Sequence, residues 1–214
     1  MIRVVLADDE AMIRAGIQSI LATDPGIEVV AVAGDGREAV EMTFAHQPDV
    51  VLMDVRMPRL DGLTAAAQVR EVAKVIVLTT FDEDDYVTAA LDAGAAGFLL
   101  KACDPQELLL GVHAVADGGA YLSPRIAKKV IARWDEGGFA NGSSARETIT
   151  GLTERERAVL AGVGRGLSNH DIGAELFVAE STVKAHVSGI LRRLGLNNRV
   201  QAAILAHEAG LTGH

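Results

Sequence analysis

Four short apolar runs, rich in β-branched residues, each end on a polar side chain: Arg3 to Ala7 before Asp8 and Asp9, Val50 to Met53 before Asp54, Val75 to Leu78 before Thr79, and Gly97 to Leu100 before Lys101. Between the runs the apolar positions take a helical period: Ala11 to Thr23, with Ile13, Ile17, Ile20 and Leu21 on one face, then Gly36 to Ala45, Gly62 to Val72, Asp82 to Ala93 and Pro105 to Asp117. The alternation of strand-like runs with these five helices predicts a parallel sheet covered on both faces, since right-handed crossovers put the helices there. The carboxyl ends of such strands line one crevice, where ligands bind. The polar run-ends therefore predict one site holding three acids, a hydroxyl and an ammonium.

Ser123 to Trp134 carries a further amphipathic pattern, and "DEGGFANGSSARETITG" then reads as small, polar linker. Beyond it the period stays helical, with four helices expected: Thr153 to about Val163, Ser168 to Leu176, Glu180 to Leu194 and Asn198 to Ala209. "TERE" at Thr153 to Glu156 is a capping box, Ser168 with Asp171 a weaker one, and Gly195 and Gly210 stand where helices close. The division expected is an α/β domain over 1–121, a linker over 122–150 that is helical at its start and then flexible, and an all-α domain over 151–214.

A chain of 214 residues, 49% hydrophobic, suits two modest packed domains. One cysteine, Cys103, excludes an internal disulfide framework, and no apolar stretch has the length of a signal peptide or membrane span. A cytoplasmic, membrane-free protein is expected. The net charge of −9 argues against nucleic acid if taken whole, but it is uneven: −12 over residues 1–121, +2 over 122–150 and +1 over 151–214. Arg192, Arg193 and Arg199 cluster in the near-neutral part, and attraction to phosphates is local as well as global.

Adjacent carboxylates after the first strand and a third after Met53 repel one another unless a cation joins them. All-oxygen ligation suits Mg²⁺, commonly shared with a phosphate. Asp54 is then placed to act as nucleophile and form an aspartyl-phosphate, with Lys101 and Thr79 on phosphate oxygens. Dinucleotide binding, the rival for a parallel sheet, wants glycines after the first strand, where "LADDE" sets three acids.

"VVLADDE", "DVVLMDVRMPRLDG", "VIVLTTFDEDD" and "AGAAGFLLK" resemble the receiver domain of bacterial two-component response regulators. The resemblance implies a flavodoxin-like five-stranded sheet in the order 2-1-3-4-5 and phosphorylation of Asp54 by a sensor histidine kinase. It also implies Mg²⁺ held by Asp9 and Asp54, with Asp8 nearby and the backbone carbonyl of Arg56 as a further ligand. Thr79 matches the family's switch hydroxyl by its separation from Lys101, with Thr80 as the alternative. Phe98 falls at the aromatic switch position, where a plain core aromatic is an equal reading.

"LTERERAVLAGVGRGLSNHDIGAELFVAESTVKAHVSGILRRLGLNNRVQAAILA" resembles the LuxR-type helix-turn-helix, and its pairing with a receiver is that of the NarL/FixJ subfamily. The resemblance implies that Glu180 to Leu194 enters the major groove of double-stranded DNA. Val183, Val187, Ile190 and Leu194 share one face of it, so Lys184, Ala185 and Ser188 face outward, toward the bases in this family. Thr182, His186, Arg192, Arg193 and Arg199 are assigned to phosphates or packing. The same resemblance implies a homodimer formed on phosphorylation, with Arg199 to Ala209 as its surface in the DNA-binding domain, and RNA polymerase as a further partner. No enzyme is expected. An aspartate-nucleophile phosphatase and a helical module that binds protein are the rivals from other classes. Ala179 at the recognition-helix N-cap, and Gly162, Gly164 and Gly173 in or beside helices, lead us to expect a marginally stable output domain.

Overall fold

The computed structural model describes residues 1–80, 89–90, 93–123, 126 and 142–212. The chain divides into two compact units, the first built on the sheet and the second wholly helical through 142–212. The first contains β1 (Ile2–Ala7), α1 (Ala11–Leu21), β2 (Ile27–Ala33), α2 (Gly36–His46), β3 (Val50–Asp54), α3 (Gly62–Val69), β4 (Lys74–Thr79), β5 (Gly97–Leu100), α4 (Pro105–Ala116) and β6 (Tyr121–Leu122). The sheet order is β2-β1-β3-β4-β5-β6, with every pairing parallel. The expected 2-1-3-4-5 order is there, with a sixth strand at the β5 edge that periodicity did not announce, because two residues carry no period.

β3 is buried at all five positions, as a strand covered on both faces must be. Val4, Leu6, Val50, Leu52, Ile76 and Leu78 share one face and pack with Ile17 and Leu21 of α1 and Leu108, Val112 and Val115 of α4. Val5, Val51, Met53, Val75 and Val77 point the other way by the strand's period of two and are equally buried. The helix expected over Asp82 to Ala93 and the one over Ser123 to Trp134 lie largely outside the described residues.

The second unit contains α5 (Gly142–Thr148), α6 (Glu154–Gly164), α7 (Asn169–Leu176), α8 (Glu180–Leu194) and α9 (Arg199–Glu208). Four helices were expected; α5 is an addition, lying where a flexible linker was expected. Its Ala145, together with Ile149 and Leu152, joins the core of Leu160, Val163, Ile172, Val183, Ile190 and Leu205, which is enough to order a seven-residue helix. Thr153 and Glu156 form both halves of a capping box, as do Ser168 and Asp171. Ala179 leaves α8 without a side-chain cap, and Gly195 closes it at φ 67°, a conformation that glycine adopts freely.

The glycine-rich helices are better packed than their propensities suggest. A methyl on Gly173 would meet the Val178 carbonyl at 2.8 Å, and Gly162 and Gly164 are similarly close to Ile172 and to Ala206. These glycines let α7 approach the turn and let α6 approach its neighbours, so the expectation of marginal stability is not supported at them.

Candidate functional site

Register alone assembles the first site. Ala7 pairs with Met53, so Asp8 and Asp54 sit on adjacent strand ends; Asp54 pairs with Leu78, which brings Thr79 next, and Thr79 pairs with Leu100, which brings Lys101. Lys101 Nζ lies 3.0 Å from Asp8 Oδ2, 3.0 Å from Asp54 Oδ2 and 3.6 Å from Glu10 Oε1. Asp8, Asp54 and Thr79 are buried, while Asp9 is exposed beside them. Thr79 Oγ1 donates to the Thr80 carbonyl at 3.2 Å, and Thr80 itself is exposed.

Charge does not balance here. One ammonium faces two buried carboxylates, so the pocket keeps a net negative charge before Asp9 and Glu10 are counted. Burial pushes the Asp54 carboxyl up to about 6; hydrogen bonding and attraction from Lys101 oppose this, Asp8 adds repulsion, and the Arg56 backbone N–H donates to the carboxylate. Burial disfavours the Lys101 ammonium, but its hydrogen bonds and attraction to Asp8 and Asp54 outweigh that and raise its pKa. Lys101 gains from two anions, whereas Asp54 shares its one cation with Asp8.

Asp8, Asp9 and Glu10 bring one carboxylate oxygen apiece within 4.8 Å of one another. Asp8 Oδ2 is fully buried and has the Lys101 ammonium, 3.0 Å away, as its partner. Hard oxygen donors with spare lone pairs and excess negative charge fit Mg²⁺. Phe98 is buried within β5, and Arg56 is exposed after β3.

Arg14 and Gly62 were not singled out from sequence, and Glu10 was counted only as one of the acids after the first strand. Arg14 Nη1 donates to the Asp8 main-chain carbonyl at 2.5 Å and so anchors the loop that carries the acids. Glu10 precedes α1 without capping it and turns toward Lys101 instead. Gly62 stands where any Cβ would collide with the Asp54 carbonyl oxygen, and its N–H donates to Val55 at 2.8 Å. The Asp61-Gly62 pair at the head of α3 was the available signal for the last of these.

In the helical unit α7, the turn at 177–179 and α8 follow in the expected order. Val183 and Ile190 are buried, with Val187 and Leu194 packed on the same core, while Thr182, Lys184, Ala185, Ser188 and Arg192 are at least partly exposed. Lys184 Nζ pairs with Glu180 Oε1 at 2.6 Å, one turn back. Arg193 reaches the capping-box Glu156 at 3.0 Å and the Gly151 carbonyl at 3.3 Å, which ties α8 to the head of α6.

Of the two readings open for Arg199, phosphate contact or packing, the geometry favours packing. The side chain is buried, donates to Asn169 Oδ1 at 2.8 Å and to the Leu167 carbonyl at 2.5 Å, and burial pulls its guanidinium down to about 10. A side chain spent inside the unit is not available to phosphate, so Arg199 belongs to packing. The apolar stripe expected as a dimer surface on α9 is likewise mostly consumed: Val200, Ala206 and Ala209 are buried in the unit, and Ala203 and Ile204 are only partly covered.

The family described as "Response regulator receiver domain" matches residues 4–113, and "Bacterial regulatory proteins, luxR family" matches residues 150–206. The transcriptional regulatory protein LiaR of Bacillus subtilis is 40% identical over 210 residues, covering 97% of each chain. The transcriptional regulatory protein DegU of Brevibacillus brevis is 39% identical, covering 95% of this chain and 92% of its own. Among solved structures, the response regulator ChrA of a haem-sensing two-component system is similar over 98% of each chain, with 36% identity and a TM-score of 0.55. Among the described residues no helix is long and apolar enough to cross a membrane.

Proposed function

This chain belongs to the two-component response regulators that join a receiver domain to a LuxR-type DNA-binding domain, and from that premise we propose that phosphorylation of Asp54 by a sensor histidine kinase switches it to a dimer that binds promoter DNA. The observation that carries this reading is the Lys101 ammonium shared between Asp8 and Asp54 at 3.0 Å each.

The ionised Asp54 carboxylate attacks phosphorus while the bond to the donor's histidine breaks. Asp8, Asp9, Asp54 and the Arg56 carbonyl would hold Mg²⁺, whose chemistry there would be to neutralise charge on phosphoryl oxygens. Lys101 is already desolvated and oriented, and it needs only to exchange a carboxylate oxygen for a phosphoryl one.

Phosphorylation adds about −1.5 to −2 charges at Asp54. Thr79, whose present acceptor is a carbonyl at 3.2 Å, gains a stronger acceptor in the phosphate. Its movement vacates volume beside β5, where Phe98 can follow. A switch requires an element with two arrangements that the ligand distinguishes, and Thr79 with Phe98 supplies the candidate. In the second unit Lys184, Ala185 and Ser188 face base edges, and Thr182 and Arg192 face phosphates. Arg193 positions α8 through Glu156.

The test is incubation of the full chain with a small acyl-phosphate donor and Mg²⁺, followed by intact mass. The expected result is one added phosphoryl group in the wild type, none in Asp54→Ala, and strong loss of rate in Lys101→Ala. A phosphoryl group retained in Asp54→Ala would overturn the assignment.

A further inference from the structure

Phe177 closes α7 in the left-handed region at φ 55°, its N–H bonding the carbonyls of Ala174 and Gly173, and its side chain is 93% exposed. Both facts run against the residue. Gly or Asn ends a helix in this conformation at least cost, and a bulky ring there is strained. A phenyl ring left in water gains nothing from folding. The two other non-glycine residues with positive φ among the described ones, Gln47 and Arg59, are polar and engage Phe44 and Asp35. Nothing described inside the helical unit rewards Phe at 177. Strain of this sort points to a role outside the fold.

Position narrows the role. Phe177 lies in the turn that leads directly into α8, next to the end that bears exposed Thr182, Lys184 and Ala185. The other large exposed apolar side chains among the described residues, Met1, Met12, Val32, Phe44 and Leu110, all belong to the first unit. Among the described residues of the helical unit no other large apolar side chain is as exposed as Phe177, whereas a protein interface is built on a contiguous buried patch. A duplex can be read by one apolar side chain, against a thymine methyl or a deoxyribose.

We infer that Phe177 makes an apolar contact with DNA at the rim of the groove entered by α8. This rests on the DNA-binding reading above. The experiment takes the full-length protein, phosphorylated with an acyl phosphate and Mg²⁺, and the duplex that it enriches from a random pool. Phe177→Asn, which suits the left-handed backbone, is expected to melt no lower than wild type yet bind that duplex at least about tenfold more weakly, the cost of losing a buried ring. Phe177→Leu keeps apolar bulk and is expected to retain most of the affinity.

Replacing thymine by uracil in the site separates the two contacts. Loss in wild type but not in Phe177→Asn places the ring on a methyl group, and no loss, with the Asn variant still weak, places it on sugar. Equal affinity of Phe177→Asn and wild type would overturn the inference and turn attention to a protein partner. Wild type that enriches no duplex would fail the DNA reading itself, a different result from the last.

Discussion

Asp54 is the residue on which the account rests, and its burial has a measurable consequence. Its carboxyl is raised from the ordinary 3.8 to about 6, so the folded state binds a proton that the unfolded chain has already released, and stability falls as pH rises between these values. In metal-free buffer we expect urea unfolding of the first unit to lose on the order of 2–3 kcal/mol from about pH 4 to pH 7, because each tenfold change in proton affinity is worth about 1.36 kcal/mol. Asp54→Asn should abolish that slope, and Mg²⁺ should oppose it. Lys101 is raised as well, so its contribution is present through this whole range and is lost only as pH climbs past its ordinary 10.5. Arg199 and Arg192 make a second contrast, because both were assigned to phosphates or packing and only one is buried. Arg199→Ala should destabilise the helical unit by roughly 1–3 kcal/mol through its orphaned partners, without Lys rescuing a two-pronged contact. Arg192→Ala should leave unfolding unchanged and reduce the salt slope of DNA binding by about one. The acids, hydroxyl and ammonium of the pocket were legible because strand ends announce themselves in sequence. Arg14, Gly62 and the buried Arg199 were not, since each acts through a chain fold-back that only tertiary packing decides.

At the scale of elements, the strands and most helices declared themselves through period and caps. The capping boxes at Thr153 and Ser168 formed in full, and α8 spans Glu180–Leu194 as its apolar stripe required. β6 and α5 escaped because one has two residues and the other seven, too few for a period, and both draw their order from packing against larger neighbours. Sequence also misjudged Gly162, Gly164 and Gly173, where helix propensity counted a cost and close approach of elements required it. The uncapped head of α8 follows directly from its residue. Ala179 has no side-chain acceptor to offer the first N–H groups of the helix, so Ala179→Ser should stabilise the helical unit by about 1 kcal/mol, measured by chemical unfolding. An unchanged midpoint would mean that the end of α8 is already satisfied by other means.

Over the whole molecule, charge is unevenly divided between the two parts. Residues 1–121 hold −12 and suit a cation, while 151–214 hold +1 with the exposed side chains of α8 directed outward. The pocket lies in one unit and α8 in the other, so the central claim is that an event at Asp54 changes what α8 can hold. It is tested most directly by titrating the enriched duplex with wild type and Asp54→Ala at fixed salt, each with and without an acyl phosphate and Mg²⁺. The account predicts that phosphorylation tightens wild-type binding at least about tenfold, which corresponds to about 1.4 kcal/mol of coupling, onto a two-fold symmetric site, and leaves Asp54→Ala unaffected. Equal affinity of wild type in both states, with phosphorylation verified by mass, would contradict it.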